Sequence, residues 1–65
     1  MKKYFTTKQA GEYLGVSPRT LEMWRHPKYA PKITPNFIKS GRFVRYDIAE
    51  LDLFIQRLKD EQNAS

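Results

Sequence analysis

The stretch Leu14-Gly15-Val16-Ser17-Pro18 does most to limit how this chain folds, because it stops one helix and starts another within a few residues. Gly15 stands where a helix calls for a left-handed residue to close its last turn. Ser17 is a favoured N-cap, and Pro18 suits the first helical position, where its missing N–H costs nothing. Upstream, Thr6 and Gln9 have capping-box spacing, and Phe5 before them can pack on Ala10 as a hydrophobic staple. Ala10, Tyr13 and Leu14 continue as an apolar stripe at helical spacing, which predicts a first helix from Thr7 to Leu14. A second helix follows through Arg25, and Pro27 stops it.

Two short helices joined this way make a helix-turn-helix. On the second, Leu21 and Trp24 share one face and are expected to anchor the core. Arg19, Glu22, Met23 and His26 lie opposite, with Thr20 on the flank. Pro27, Pro31 and Pro35 then forbid a helix and disfavour a central strand, so residues 27–36 read as an extended, semi-rigid connector. Tyr29 within it is expected to pack under the loop.

Phe37-Ile38-Lys39 and Phe43-Val44-Arg45-Tyr46 flank Ser40-Gly41-Arg42, which reads as a hairpin with two competing registers. A two-residue Ser40-Gly41 loop pairs Lys39 with Arg42 and sets Phe37 and Val44 on one face with both bases. A three-residue loop pairs Ile38 with Val44, turns Ile38, Val44 and Tyr46 toward a core, and sends Lys39, Phe43 and Arg45 outward. The second is preferred. Asp47 and Glu50 next form another capping box, with Tyr46 and Leu51 as its staple. Ile48, Leu51, Ile55 and Leu58, widened by Phe54, supply the stripe of a third helix. The expected organisation is one domain over residues 1–59 and a flexible polar tail over 60–65. Lys2 and Lys3 read as part of a mobile N-terminal tail.

With 65 residues there is room for one small core, which excludes most enzyme scaffolds. The absence of Cys excludes disulfides, thiolate zinc sites and Cys nucleophiles, and a single His puts multi-histidine metal sites out of reach. No nucleophile–base pair or phosphate-binding Gly loop can be assembled, because Gly11, Gly15 and Gly41 serve turns and packing. No catalysis, cofactor, metal or small-molecule ligand is expected. After Met1-Lys2-Lys3 no apolar stretch follows, since Thr6, Thr7, Lys8 and Gln9 come next, and the longest apolar run is Leu53-Phe54-Ile55, so a cytoplasmic protein without membrane attachment is expected. The net charge of +5 is unevenly placed. Residues 1–46 hold ten basic and two acidic residues, whereas residues 47–65 hold two basic and five acidic ones. That segregation predicts a cationic face for a polyanion.

The run Thr6-Thr7-Lys8-Gln9-Ala10, with Tyr13-Leu14-Gly15-Val16-Ser17-Pro18-Arg19-Thr20-Leu21 and Trp24, resembles excisionase-type, MerR-like DNA-binding domains. Gly41-Arg42-Phe43-Val44-Arg45-Tyr46 and the following Asp47 through Leu51 look like that family's wing and closing helix. Small phage and mobile-element regulators of the AlpA type share the pattern, although the connector here is longer than their usual link. The resemblance spans about Tyr4 to Leu58. It implies a mainly α fold with a small β-hairpin, a winged helix-turn-helix, whose second helix enters the major groove of double-stranded DNA while the wing rests on a neighbouring groove or the backbone.

Chemistry agrees with that placement. Ser17 sits at a helix start, where backbone N–H groups can meet a phosphate. Arg19 can read a guanine edge bidentately, Thr20 can touch the backbone or a thymine methyl, and Met23 can make apolar base contact. Lys39, Arg42 and Arg45 can neutralise phosphates, and Arg42 can enter a narrow minor groove. The expected function is that of an excisionase that binds and bends attachment-site DNA as several cooperating copies, with an integrase as a further partner. The alternative is a transcriptional regulator using the same surface at a promoter. A protein-interaction adaptor built on the third helix stands behind both.

Overall fold

The computed structural model describes residues 3–63, so Lys2 of the expected N-terminal tail and Ala64-Ser65 of the expected C-terminal tail lie outside the described residues. The chain runs β1 (Tyr4–Phe5), α1 (Thr7–Leu14), α2 (Pro18–Trp24), β2 (Ile38–Ser40), β3 (Phe43–Asp47) and α3 (Ile48–Asn63). It is mainly helical with a small antiparallel sheet, the arrangement of a winged helix-turn-helix.

The caps of α1 and α2 form as their residues predict. Thr6 Oγ1 accepts from the Gln9 amide at 3.2 Å, and Gln9 Oε1 accepts from the Thr6 amide at 2.9 Å. Gly15 takes φ 78°, and the amides of Gly15 and Val16 both donate to the Gly11 carbonyl, at 2.8 and 3.0 Å. Gly11 itself is buried against the turn. A Cβ there would stand 2.6 Å from the Val16 carbonyl oxygen and 3.4 Å from the Pro18 nitrogen. The missing side chain is what lets α2 begin so close to α1.

Ala10, Leu21, Tyr46 and Leu51 form the buried cluster, with Phe5, Leu14, Val16, Trp24 and Val44 packed against it. Each helix and the central strand therefore contributes one fully buried side chain. Phe5 lies edge-on to Tyr13 at 5.6 Å, and Trp24 meets Phe54 of α3 at 6.0 Å.

The sheet departs from expectation in two ways. Its strand order is β1-β3-β2, and β1 was not foreseen. Two residues suffice because Tyr4 pairs with Asp47 and Phe5 with Tyr46, while the Ile48 amide donates to the Lys3 carbonyl at 3.3 Å. The hairpin takes neither anticipated register. Ile38 pairs with Arg45, Lys39 with Val44 and Ser40 with Phe43, leaving a two-residue Gly41-Arg42 loop. Gly41 has φ 60° and, among the described residues, no residue other than Gly has positive φ, so Gly41 followed by Arg42 has the pattern of a type II′ turn, whose twist suits a hairpin.

One step of register turns over the faces of β2 alone, since Val44 and Tyr46 of β3 keep the inner side. Ile38 thus points outward opposite Arg45 rather than toward the core, and Lys39 shares the face of Val44. Phe37 takes the inner place instead, its ring 6.1 Å from that of Tyr46. An aromatic ring covers the buried Tyr46 better than Ile38, which the turn leaves exposed.

Asp47 Oδ1 caps α3 by accepting from the Ala49 amide at 3.0 Å. The expected capping box does not close, because Glu50 Oε2 accepts from Asn36 Nδ2 at 3.0 Å. The apolar stripe of α3 is centred on Leu51 and Phe54, and Leu58 stays exposed. The helix continues through residues 60–63, where Gln56 Nε2 donates to Asp60 Oδ1 at 3.1 Å and Lys32 pairs with Glu61 at 3.1 Å. The connector is thus pinned to α3 twice, through Lys32 and Asn36. Among the described residues, no helix is long and apolar enough to cross a membrane.

Candidate nucleic-acid interface

Burial of Leu21 and Trp24 decides what α2 shows to solvent. With those two turned inward, Arg19, Glu22 and Met23 face outward. Ser17 Oγ accepts from the Thr20 amide at 3.1 Å and lies 2.8 Å from Thr20 Oγ1. Ser17 and Thr20 are therefore engaged with each other, and they fix where the helix starts. Arg19 stands free of them.

After α2, the amides of Tyr29 and Ala30 donate to the His26 carbonyl at 3.0 and 3.1 Å and close a turn. That turn swings Tyr29 back alongside α2. Its ring is 53% exposed instead of packed under the loop. Arg19, Glu22, Met23, His26 and Tyr29 together line a depression of about 300 Å³. The side chain of Met23 is 42% exposed within it. Lys28 Nζ stands 5.6 Å from the centre of the Tyr29 ring.

The hairpin presents a second basic group. Arg42 occupies the second position of the turn, and Lys39 is exposed one pair back from it. Arg45 is half-buried; it donates to the Val44 carbonyl at 2.7 Å, and its guanidinium lies 4.3 Å over the Phe43 ring. Among the described residues, no side-chain hydrogen bond or ion pair holds Arg19, Lys39 or Arg42. Three cations without internal partners are free to meet phosphates or base edges.

Arg25 was not singled out in the sequence, yet it ties these parts together. Its Nη1 donates to Thr7 Oγ1 at 3.3 Å and to the Tyr46 hydroxyl at 3.2 Å, and its guanidinium lies 5.8 Å from the Phe37 ring. One side chain at the end of α2 thereby meets α1, β3 and the segment leading into the wing. Nothing in its spacing marks it, because its partners lie 18 and 21 residues away.

Asp52, Glu50 and Glu61 of α3 are spent on internal contacts away from α2, whereas Glu22 stays exposed on α2 itself. Asp52 accepts from the Tyr13 hydroxyl, and this bond chiefly holds the Tyr13 phenol above its ordinary value of 10.0. Desolvation and the Asp52 charge push in the same direction. With Asn36 on Glu50 and Lys32 on Glu61, the carboxylates of α3 cross-link the back of the domain.

The model of the helix-turn-helix domain family matches residues 4–59. The chain belongs to this family, which includes the AlpA-like and excisionase-type proteins, and it is a DNA-binding helix-turn-helix protein. Domains of this kind are typically non-enzymatic. No curated protein matches the chain significantly.

Proposed function

We propose that this member of the helix-turn-helix domain family is an excisionase, a recombination directionality factor that binds and bends attachment-site DNA. The observation that carries the reading is the division of α2, with Leu21 and Trp24 turned into the core and Arg19 and Met23 turned to solvent. Placed in the major groove, Arg19 donates two hydrogen bonds to the O6 and N7 of a guanine, and Met23 supplies apolar base contact. Ser17 and Thr20 lie at the groove edge, where they set the register against the backbone. Lys39, Arg42 and Arg45 bring the wing onto phosphates, with Arg42 at its tip.

Size supports an assembly rather than a lone copy. A single small module buries only about 600–1,000 Å² on DNA, which limits its affinity. Bending a site of a few helical turns costs on the order of 1–6 kcal/mol, which several cooperating copies can offset. The curved complex then favours excision by an integrase, and this chain catalyses nothing itself. The second reading is a transcriptional regulator, which the same surface serves at a promoter. In either case the working location is the cytoplasm, where the DNA is.

Footprinting on the DNA flanking the gene, with and without a cognate integrase, tests the reading. Tandem protected repeats at an attachment site support the excisionase, whereas protection over a promoter alone supports the regulator. An Arg19→Ala variant with unchanged affinity and sequence preference would remove α2 from the reading role.

A further inference from the structure

Arg19 and Met23 do not stand alone on α2. The turn closed on the His26 carbonyl adds Tyr29 to their surface and makes a depression from what would otherwise be a convex helix. Met23 and Tyr29 are its apolar walls, and both are about half exposed. Arg19, Glu22 and His26 form the polar rim. At about 300 Å³ the open hollow has room for the edge of a base. On the major-groove edges of the four base pairs, the pyrimidine C5-methyl is the apolar group, flanked by hydrogen-bond donors and acceptors. The rim offers matching chemistry: Arg19 only donates, Glu22 accepts as a carboxylate, and His26 does either. Lys28, close to the Tyr29 ring, keeps a cation beside the hollow for the adjoining phosphate.

We propose that this depression is a pocket for a pyrimidine C5-methyl group, from thymine or 5-methylcytosine, next to the base that Arg19 reads. The proposal rests on α2 entering the major groove and goes further by naming the neighbouring base. It also makes Tyr29, outside the helix-turn-helix, a specificity-determining residue.

The test starts from the duplex that the wild-type protein selects out of a pool with a randomised centre. Each dT in that duplex is replaced singly by dU, and each dC by 5-methyl-dC, and competition gel shifts give the affinity ratio. One position beside the Arg19-dependent base is expected to show an effect of about four-fold, the value of one buried methyl. A loss on dT→dU identifies thymine as the source, and a gain on methylating dC identifies 5-methylcytosine. In Met23→Ala/Tyr29→Ala the ratio at that position is expected to fall to about one. Because each ratio compares two duplexes on the same protein, partial unfolding of a variant does not alter it.

A methyl effect that survives in the double variant overturns the pocket, as does its absence beside the Arg19-dependent base; both leave the major-groove reading intact. A wild-type protein that selects no motif, or one whose motif is unchanged by Arg19→Ala, overturns that reading and the pocket with it.

Discussion

Replacing Gly11 by Ala separates a general expectation about helices from what this fold requires. In a helix interior, Gly→Ala ordinarily stabilises by about 0.5–1 kcal/mol. Here the new Cβ would lie 2.6 Å from the Val16 carbonyl oxygen, which is backbone and cannot rotate aside. The same Val16 donates its amide to the Gly11 carbonyl at 3.0 Å, and Pro18 stands 3.4 Å away through its nitrogen. Relief therefore has to come from moving the turn and the start of α2. Overpacking of this sort costs about 1–3 kcal/mol. After the helix-propensity gain, a net loss of up to about 2.5 kcal/mol remains, from a core whose size class supplies roughly 3–5 kcal/mol. For a domain this small each kcal/mol lowers Tm by about 4–8 °C, so a drop of up to about 20 °C is expected in a circular-dichroism melt.

Gly15→Ala is the matched control. Its φ of 78° makes any side chain strained, yet nothing lies within 4 Å of the added atom. That variant is expected to lose about 1–2 kcal/mol of stability and to keep α2 in place. Gel shifts at a temperature where both variants are folded should then show weakened DNA binding for Gly11→Ala alone. A Gly11→Ala protein that melts at or above the wild-type temperature would refute the reasoning.

Other consequences are open to direct measurement. Arg25→Met strands the buried Tyr46 hydroxyl and is expected to cost about 1–3 kcal/mol, and adding Tyr46→Phe should recover part of it. A double variant no more stable than Arg25→Met would show that the bond is not what matters. Arg42→Ala is expected to lower the slope of log K against log[salt] by about 0.9 without moving Tm, and an unchanged slope would take the wing tip off the phosphates. The Tyr13 phenol, raised mainly by its bond to Asp52, should titrate above 10.0, and Asp52→Asn should return it toward that value in a ¹³C NMR titration. Because the folded value is the raised one, the stabilisation from this bond is full below pH 10.0 and fades as pH climbs through the folded value. An identical titration in the two proteins would break that link.

What was legible in the sequence was what local chemistry decides. Thr6 with Gln9, Gly15, and Ser17 with Pro18 act within one turn of backbone, so their spacing places α1 and α2. The long-range choices were not legible in the same way. The hairpin register depended on whether Phe37 or Ile38 covers Tyr46, a packing question between strands that the alternation of apolar residues leaves open. Glu50 had the right spacing for a capping box, but Asn36 reaches it from the connector. β1 is two residues long and carries no periodic signal at all. In the interface, the outward face of α2 followed from its period, whereas Tyr29 was misplaced because only the turn closed on His26 brings it there.

These two kinds of residue meet in α2, and their meeting explains why such a small chain can present a defined surface. Seven residues are too few to hold a helix in water by themselves. The orientation of Arg19 and Met23 is therefore set by what grips the other side of the helix: Gly11 under its start, Leu21 and Trp24 along its inner face, and Arg25 at its end. None of these four reaches toward solvent as a contact residue. Substitutions among them should still change DNA binding, because α2 cannot tilt without carrying Arg19 and the Tyr29 turn along. On the proposed placement of α2, stability and recognition are coupled through one short helix, and a change confined to Arg19 or Arg42 is expected to alter recognition while leaving the core as it is.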